Sequence, residues 1–310
     1  MWESGTRLEY VIEEHGTTQF GEGARSFELN TSLILDTVWE VQSASPDGGA
    51  MLRVSIGRVR FTGDGKVHAS SVPDFTVDTN NRSNPKKQPA RSVAEVLKSY
   101  VGHVADIAVD GRGKVVDVSL SEHMSKKLEE SKARELAGFF GGLFTTNGIG
   151  HRLTAWLVEF PAGELSHGRT WRREQPSPIR GDVLDIRAYE VLGPVDHTGD
   201  ARIHIQLTPQ FQVRAGSDTK IVRQDGDGHV HLDPETHQIQ AFGLRQQSLI
   251  EDAYSAISIS TEYTATLRPP GAKVEESSGG IAGGALIAGI VLALCLGIGV
   301  RFLISKRARP

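Results

Sequence analysis

The sequence of 310 residues contains a single cysteine, Cys295, which lies in an apolar run near the C-terminus. The rest of the chain therefore forms no disulfide bond and supplies no cysteine nucleophile. Aromatic residues make up only 6% of the chain, which argues against an extended stacking surface for bases or sugars. The formal net charge is −4, with both signs interspersed. No basic stripe therefore favours nucleic acid as a partner.

Familiar catalytic motifs are missing as well. The chain has no Gly-x-Ser-x-Gly nucleophile elbow, no phosphate-binding P-loop and no His-Glu-x-x-His pair. Histidines and serines are numerous, but neither their order nor their spacing selects a catalytic triad. The sequence therefore predicts no cofactor and favours a protein that is not an enzyme.

One long apolar run is present near the C-terminus. Residues 281–300 include no charged side chain, and a helix of that length spans about 30 Å, the thickness of the hydrocarbon core of a bilayer. We therefore expect a polar stalk at 269–280 and one transmembrane helix at 281–304, with the lipid bilayer as a partner. The tail at 305–310 is basic. The positive-inside rule then places the C-terminus in the cytoplasm and the large domain on the extracytoplasmic side of a cell membrane.

The N-terminal residues fit this topology less well, because the first 16 carry no apolar signal-peptide core. Three arrangements stay open: a signal peptide upstream of this sequence, a tail anchor with a cytoplasmic domain, or a C-terminal sorting signal that a protease removes. We favour the plain anchor with an extracytoplasmic domain, because four cations after the apolar run resist translocation.

Strand patterns dominate the large domain. Leu8, Tyr10 and Ile12 alternate with polar residues, which predicts a half-buried strand. Two long runs, at 27–41 and 51–61, flank turn-forming residues at 45–49 and predict an antiparallel hairpin. A second hairpin is predicted for 104–120, and further strands follow from 170 to 268.

Three helical segments interrupt the strands. A capping box at Ser92 predicts a helix over 92–101, and Ser121 is placed to cap a longer helix that ends at about Leu143. A third apolar stripe, with helical spacing, runs from Leu153 to Phe160 and is halted by a proline.

Two strand-rich halves, residues 1–120 and 169–268, look related and are joined by a helical connection at 121–168. Each half contains Gly-Asp-Gly, at 63–65 and at 226–228, which predicts a tight turn into a new strand. We therefore predict an α+β fold that is mostly antiparallel β. Two similar curved sheets would carry intervening helices, followed by the C-terminal transmembrane helix.

The order of these elements also carries a resemblance. The segments GHVADIAVDGRGKVVDVSL at 102–120, GRTW at 168–171 and DGDGHVHLDPETHQIQAF at 225–242 resemble an uncharacterised bacterial family of membrane-anchored, β-rich envelope proteins. The repeated unit resembles the half-barrel of lipoprotein carriers, in which a curved sheet wraps helices and leaves an apolar groove. This resemblance implies a fold and an envelope location, and it carries over no functional residue.

The segment richest in potential ligands lies at 225–237. Alternation places His229, His231 and Asp233 on one face of a strand, and imidazole and carboxylate are suitable ligands for zinc or manganese. The spacing does not match a calcium-binding loop. These three residues are therefore candidate metal ligands, and the alternative interpretation is a tight turn followed by an exposed polar strand face.

The leading functional hypothesis is a non-catalytic envelope protein whose curved sheet binds a hydrophobic ligand or a partner protein. Trp39, Phe61 and Tyr100 are candidate groove residues, with ordinary core packing as the alternative interpretation. A second hypothesis is a membrane-tethered, metal-dependent hydrolase that uses the turn at 225–237. A third is a structural scaffold without a ligand.

Overall fold

The computed structural model of the protein describes residues 2–21, 27–67, 70–81, 85, 90–130, 145–176, 182–194, 202–252 and 255–269. Within these ranges 12 strands form one antiparallel sheet, accompanied by three short helices. The strands are β1 (Arg7–Phe20), β2 (Phe27–Ala44), β3 (Ala50–Val67), β4 (Ser70–Asp78), β5 (Gly102–Val109), β6 (Val115–Leu120), β7 (Thr170–Pro176), β8 (Val183–Pro194), β9 (Ile203–Val213), β10 (Lys220–Leu232), β11 (Ile239–Asp252) and β12 (Ser255–Leu267). The helices are α1 (Ala90–Lys98), α2 (Glu122–Glu129) and α3 (Thr146–Thr154).

The first and last strands lie side by side in the middle of the sheet. The strand order is β6-β5-β3-β2-β1-β12-β11-β10-β9-β8-β7, with β4 paired to β3. The ladder between β1 and β12 runs from Tyr10 opposite Leu267 to Phe20 opposite Ile257. The predicted fold class, with two similar curved sheets, is therefore wrong. Because β1 pairs with β2 on one side and β12 on the other, both halves of the chain share a single sheet. The predicted repeats that resemble lipoprotein carriers are therefore not confirmed.

The predicted fold class is corrected in a second respect, its transmembrane helix. Among the residues described above, no helix is both long enough and apolar enough to cross a bilayer, and the longest helices have nine residues. The predicted span at 281–304, the stalk beyond residue 269 and the basic tail lie outside the described residues.

The two Gly-Asp-Gly sequences lie within strands, so the prediction of tight turns there is wrong. Residues 63–65 belong to β3 and 226–228 belong to β10. Glycine is needed there because neighbouring chains come very close: a β-carbon at Gly65 would overlap the carbonyl oxygen of Glu28. At Gly228 it would lie 2.5 Å from the carbonyl oxygen of Gly243. Close approach between strands, and not positive φ, explains these glycines.

The sheet bends until its two ends approach each other. Its main path contains eleven strands, which would span about 48 Å if the sheet were flat. Yet residues 159 and 160 contact both ends. Arg112, in the β5–β6 turn, donates from Nε to the carbonyl oxygen of Phe160 (2.9 Å), and Trp171 of β7 donates to that of Glu159 (2.8 Å). The sheet is therefore curved around this segment, and its concave side is called the inner face below.

The segment after α3 leaves the helix, and side chains of the inner face occupy its carbonyl groups. Helix α3 ends at Thr154, whereas the apolar stripe predicted a helix as far as Phe160. Three alternate carbonyl oxygens accept hydrogen bonds from β7 and β8: Ala155 from Arg187, Leu157 from Arg173 and Glu159 from Trp171. This part of the helix prediction is therefore wrong.

An aromatic cluster fills the centre of the inner face. Trp156 packs against Tyr10 with ring centres 4.3 Å apart and against Trp39 at 5.0 Å. All three side chains are no more than 2% exposed. Tyr10 donates to the carbonyl oxygen of Ile239 at 2.9 Å, so the cluster also fixes the start of β11. Such aromatic contacts stabilise a core beyond the burial of their area.

A buried ion pair attaches α3 to the β1–β12 ladder. Arg152 donates to both carboxylate oxygens of Glu14 at 2.7 and 3.2 Å, and both side chains are less than 5% exposed. Tyr263, which lies opposite Glu14 on β12, donates its hydroxyl to the carbonyl oxygen of Arg152 at 2.6 Å. The position of the helix therefore depends on two neighbouring central strands.

We expect the Arg152→Met variant to lose about 3–5 kcal/mol of unfolding free energy, because it leaves the Glu14 carboxylate buried without its cation. The double variant Arg152→Met/Glu14→Leu should regain most of that loss. Urea unfolding followed by circular dichroism measures both values. Arg7→Met is the matched control, because the Arg7–Glu9 pair is exposed and should contribute less than about 1 kcal/mol. Equal losses for Arg152→Met and Arg7→Met would contradict this assignment.

Candidate metal centre on the outer face

The convex outer face carries a group of three histidines on two neighbouring strands. Along β10, Val230 and Leu232 are buried, and alternation therefore turns His229 and His231 to the outer face. In the ladder with β9, His231 lies opposite His204 and His229 lies opposite Gln206. Three histidines and one glutamine thus occupy four adjacent positions on one face, and this group is called the histidine quartet below.

The three imidazole rings lie close together. Ring centres are 5.0 Å apart for His229 and His231, 5.1 Å for His204 and His231, and 6.5 Å for His204 and His229. With metal–nitrogen distances of about 2.0–2.1 Å in a tetrahedral site, the centres of two coordinated rings lie about 5 Å apart. Two of the three separations already have this value, and only the His204–His229 separation is larger.

The side chains as they stand do not form a closed coordination group. Within the described ranges, no three His, Cys, Asp or Glu side chains are arranged to hold a metal ion. A β-carbon on Gly243 would lie 2.5 Å from Cε1 of His229, so this imidazole rests on the bare backbone of β11, on the side away from His204.

The surroundings of His229 favour its neutral form. Burial is the largest cause that lowers the pKa of His229, and the neighbouring His204 lowers it further. Asp227 raises this pKa and so partly offsets them. A neutral imidazole has a free lone pair for a metal ion, whereas a protonated one does not. At neutral pH this side chain is therefore ready to act as a ligand.

Asp233, the third residue of the predicted metal set, lies elsewhere. Its carboxylate accepts hydrogen bonds from the backbone of Glu235 at 3.0 Å and of Thr236 at 2.7 Å, and from the hydroxyl of Thr236. These bonds close the turn between β10 and β11 and also lower the pKa of Asp233. The structure thus brings together His229 and His231 and adds His204. Sequence reasoning missed His204 because it lies 25 residues earlier, and only the β9–β10 register makes it a neighbour.

The three candidate groove residues lie in the main hydrophobic core. Trp39, Phe61 and Tyr100 are each no more than 2% exposed. Trp39 donates to the hydroxyl of Thr37 at 3.0 Å, and Phe61 packs against Phe75 with ring centres 5.8 Å apart. Among the described residues, these side chains contribute to packing and do not face an open groove.

A hollow of about 390 Å³ lies on the outer face beside the histidine quartet. Six outer-face residues line it: Thr170, Arg172, Ala188, Glu190, Gln206 and Thr208. Trp171 and Tyr189 also border it, but their stacked rings (centres 5.0 Å apart) point to the inner face. Gln206 belongs both to the hollow and to the histidine quartet, so the two features are continuous.

Comparisons with known proteins identify no family for this chain. No family model matches it, and no curated protein matches it. Among solved structures, it is similar to an outer membrane channel from Pseudomonas putida F1. The identity is 10%, the TM-score is 0.25, and the match covers 86% of this chain and 97% of the channel. A TM-score of that size supports no inference about fold or function.

We expect the His204→Asn variant to raise the pKa of His229 toward its ordinary value, because it removes a neighbouring imidazole that lowers that pKa. His229 should then take up its proton at a higher pH. An NMR titration of the imidazole protons measures this change. His237→Asn, in the exposed turn at 233–237, is the control and should leave the pKa of His229 unchanged. A His229 titration that is identical in the wild type and His204→Asn would contradict this prediction.

Proposed function

We propose that the protein binds a divalent transition-metal ion, such as Zn²⁺, through His204, His229 and His231. The supporting observation is the proximity of three imidazoles on one face, with ring centres 5.0–6.5 Å apart. Three neutral imidazoles with one coordination position left over are a donor set found in zinc sites. Both strands are paired on each side within the sheet, so the backbone positions of the three histidines are fixed.

Binding requires a side-chain movement of His229. Its ring must leave the backbone of Gly243 and turn toward β9, which closes the 6.5 Å separation from His204. Surface side chains change rotamer within nanoseconds, and a strained rotamer costs about 0.5–1.5 kcal/mol. That cost is small beside apparent binding free energies of roughly 10–16 kcal/mol for structural zinc sites.

The earlier hypotheses stay predictions. The sequence alone predicts a hydrophobic ligand or a protein partner, or else a scaffold role. It also predicts an envelope location with the lipid bilayer as a partner. The described hollow is walled mainly by polar side chains, and the proposed groove residues lie in the core. The hydrolase hypothesis now requires His204 in place of Asp233, because Asp233 is engaged in the turn after β10.

We expect the full chain to bind one Zn²⁺ or Co²⁺ ion. Each of the variants His204→Ala, His229→Ala and His231→Ala should weaken that binding by roughly 100-fold or more, because each removes one of three ligands. Isothermal titration calorimetry with both ions measures the affinities. Binding should also weaken as the pH falls, because protons compete with the metal ion for the imidazoles.

Asp233→Asn is the control that separates this site from the set predicted by the sequence, and it should leave the affinity unchanged. A metal affinity that falls with Asp233→Asn and not with His204→Ala would contradict the proposed ligands. The absence of any stoichiometric binding would contradict the function itself.

Gly243→Ala provides an independent test, because we expect it to strengthen metal binding. The added β-carbon would occupy the space in which the His229 ring now rests, 2.5 Å from Cε1. The ring would therefore move toward β9 and His204, nearer to the position that coordination requires. Calorimetry with Co²⁺ measures the affinity. Unchanged or weaker binding would show that the position of the His229 ring over Gly243 does not oppose coordination.

A further inference from the structure

We propose that a small monovalent anion of the size of chloride binds on the inner face, between Arg173 of β7 and Arg187 of β8. This site is separate from the histidine quartet on the outer face and is independent of the proposed metal binding. The anion compensates a positive charge that the described residues leave in excess. It also accepts hydrogen bonds from two buried donors.

The two arginines lie directly opposite each other in the ladder between β7 and β8. Both side chains point to the inner face, where Arg173 donates to the carbonyl oxygen of Leu157 at 3.1 Å and Arg187 donates to that of Ala155. Like charges that face each other across two strands are destabilising. Burial strengthens the repulsion, and Arg187 is only 4% exposed. This pair therefore requires compensating negative charge.

Asp185 compensates only one of the two arginines. Its Oδ2 accepts from Arg187 at 3.2 Å and from the amide of Gln175 at 3.0 Å. Arg173 donates instead to neutral oxygens, the carbonyl of Leu157 and Oε1 of Gln175 at 2.7 Å. Burial lowers the pKa of Arg173, and the charge of Arg187 lowers it further. Arg173 is thus the cation without a carboxylate of its own among the described contacts.

The other charges of this region cancel in pairs. Glu14 binds Arg152, and Glu159 binds Arg112 at 2.9 Å. His151 adds no charge at neutral pH, because burial is the largest of the causes that lower its pKa to about 3. Within the described part of the chain, one positive charge is therefore left over. A monovalent anion matches this charge.

Two buried donors beside the excess charge indicate where the anion lies. Among the described residues, Nε of Arg187 makes no hydrogen bond and the hydroxyl proton of Tyr189 has no acceptor. Tyr189 is two residues from Arg187 on the same side of β8, and it is equally protected from solvent. Burial raises the pKa of Tyr189, and the nearby Arg187 guanidinium partly offsets this rise. A buried donor without an acceptor is destabilising, and a bound ion is one of the partners that accounts for such groups.

The anion also acts on the segment after α3. Arg187 and Arg173 hold the carbonyl groups of Ala155 and Leu157 against β8 and β7. Repulsion between the two guanidinium groups opposes these contacts, and an anion between them removes that repulsion. An anion that binds the folded chain and not the unfolded chain raises its stability.

Thermal unfolding of the full chain in sodium chloride and in sodium gluconate, at equal ionic strength, tests the proposal. Gluconate is too large for a buried position between two side chains. We expect the midpoint of unfolding, followed by circular dichroism, to be higher in chloride by roughly 3 °C or more once chloride exceeds its Kd tenfold.

Tyr189→Phe tests the contact with the hydroxyl group. It should weaken chloride binding by roughly tenfold, because a hydrogen bond to a charged group is lost, and most of the chloride effect on the midpoint should then disappear. Tyr10→Phe is the matched control. Tyr10 is also 2% exposed on the inner face, but its hydroxyl donates to the carbonyl oxygen of Ile239 at 2.9 Å. This control should lower the midpoint equally in both salts.

Arg173→Met tests the charge. It leaves the group neutral, so the difference between the chloride and gluconate midpoints should vanish. Arg172→Met is the matched control, because Arg172 is the preceding residue on β7 but points to the outer face and is half exposed. It should retain the full chloride effect.

Bromide locates the anion without any substitution, because its anomalous scattering identifies it in crystals of the full chain. We expect a bromide ion beside Nε of Arg187 and the hydroxyl of Tyr189. A water molecule at that position, or bromide bound only elsewhere, would overturn the proposal. Equal wild-type midpoints in the two salts would do the same, as would an equal chloride effect in Tyr189→Phe and Tyr10→Phe.

Discussion

The ladder between β1 and β12 is the constraint on which the rest of this structure depends. It pairs Tyr10–Phe20 with Ile257–Leu267, which come from opposite ends of the described chain. Without it, β1 to β6 and β7 to β12 would form two sheets, each with an exposed central edge. Closing a loop of this length is entropically unfavourable, but the cost grows only with the logarithm of length. A long ladder with buried side chains on its inner face can therefore offset it.

The same ladder determines what the inner face contains. Glu14 and Tyr263 lie opposite each other at its centre and together hold Arg152, so α3 is fixed beneath the two middle strands. From there the segment at 155–160 reaches both ends of the sheet, which keeps the sheet curved. The concave side is thereby filled with aromatic side chains and buried charges. Among the described residues, the histidine quartet and the adjacent hollow lie on the convex side.

Some local patterns in the sequence predicted local structure correctly. The alternation of Leu8, Tyr10 and Ile12 predicts β1, and Ser121 does cap α2 by accepting from the backbone of Met124 at 3.2 Å. Non-local relations were beyond the sequence. Gly-Asp-Gly has the composition of a turn, and only the approach of neighbouring strands shows why glycine is required there. His204 could not be assigned to the candidate site, because its role depends on a register between β9 and β10 that no local pattern specifies.

That register connects the inner core with the outer candidate site. Val230 lies opposite Ile205 and Leu232 lies opposite Ile203, and these pairs alternate with His229 opposite Gln206 and His231 opposite His204. Val230, Ile205 and Leu232 are fully buried, so a slip of one residue would turn His204 inward and bring apolar side chains into water. The burial of these apolar residues therefore stabilises the spacing of the imidazoles on the opposite face. Packing on the inner face fixes the backbone of the proposed metal site. A metal ion would then need to select only the rotamer of His229 that turns its ring toward β9.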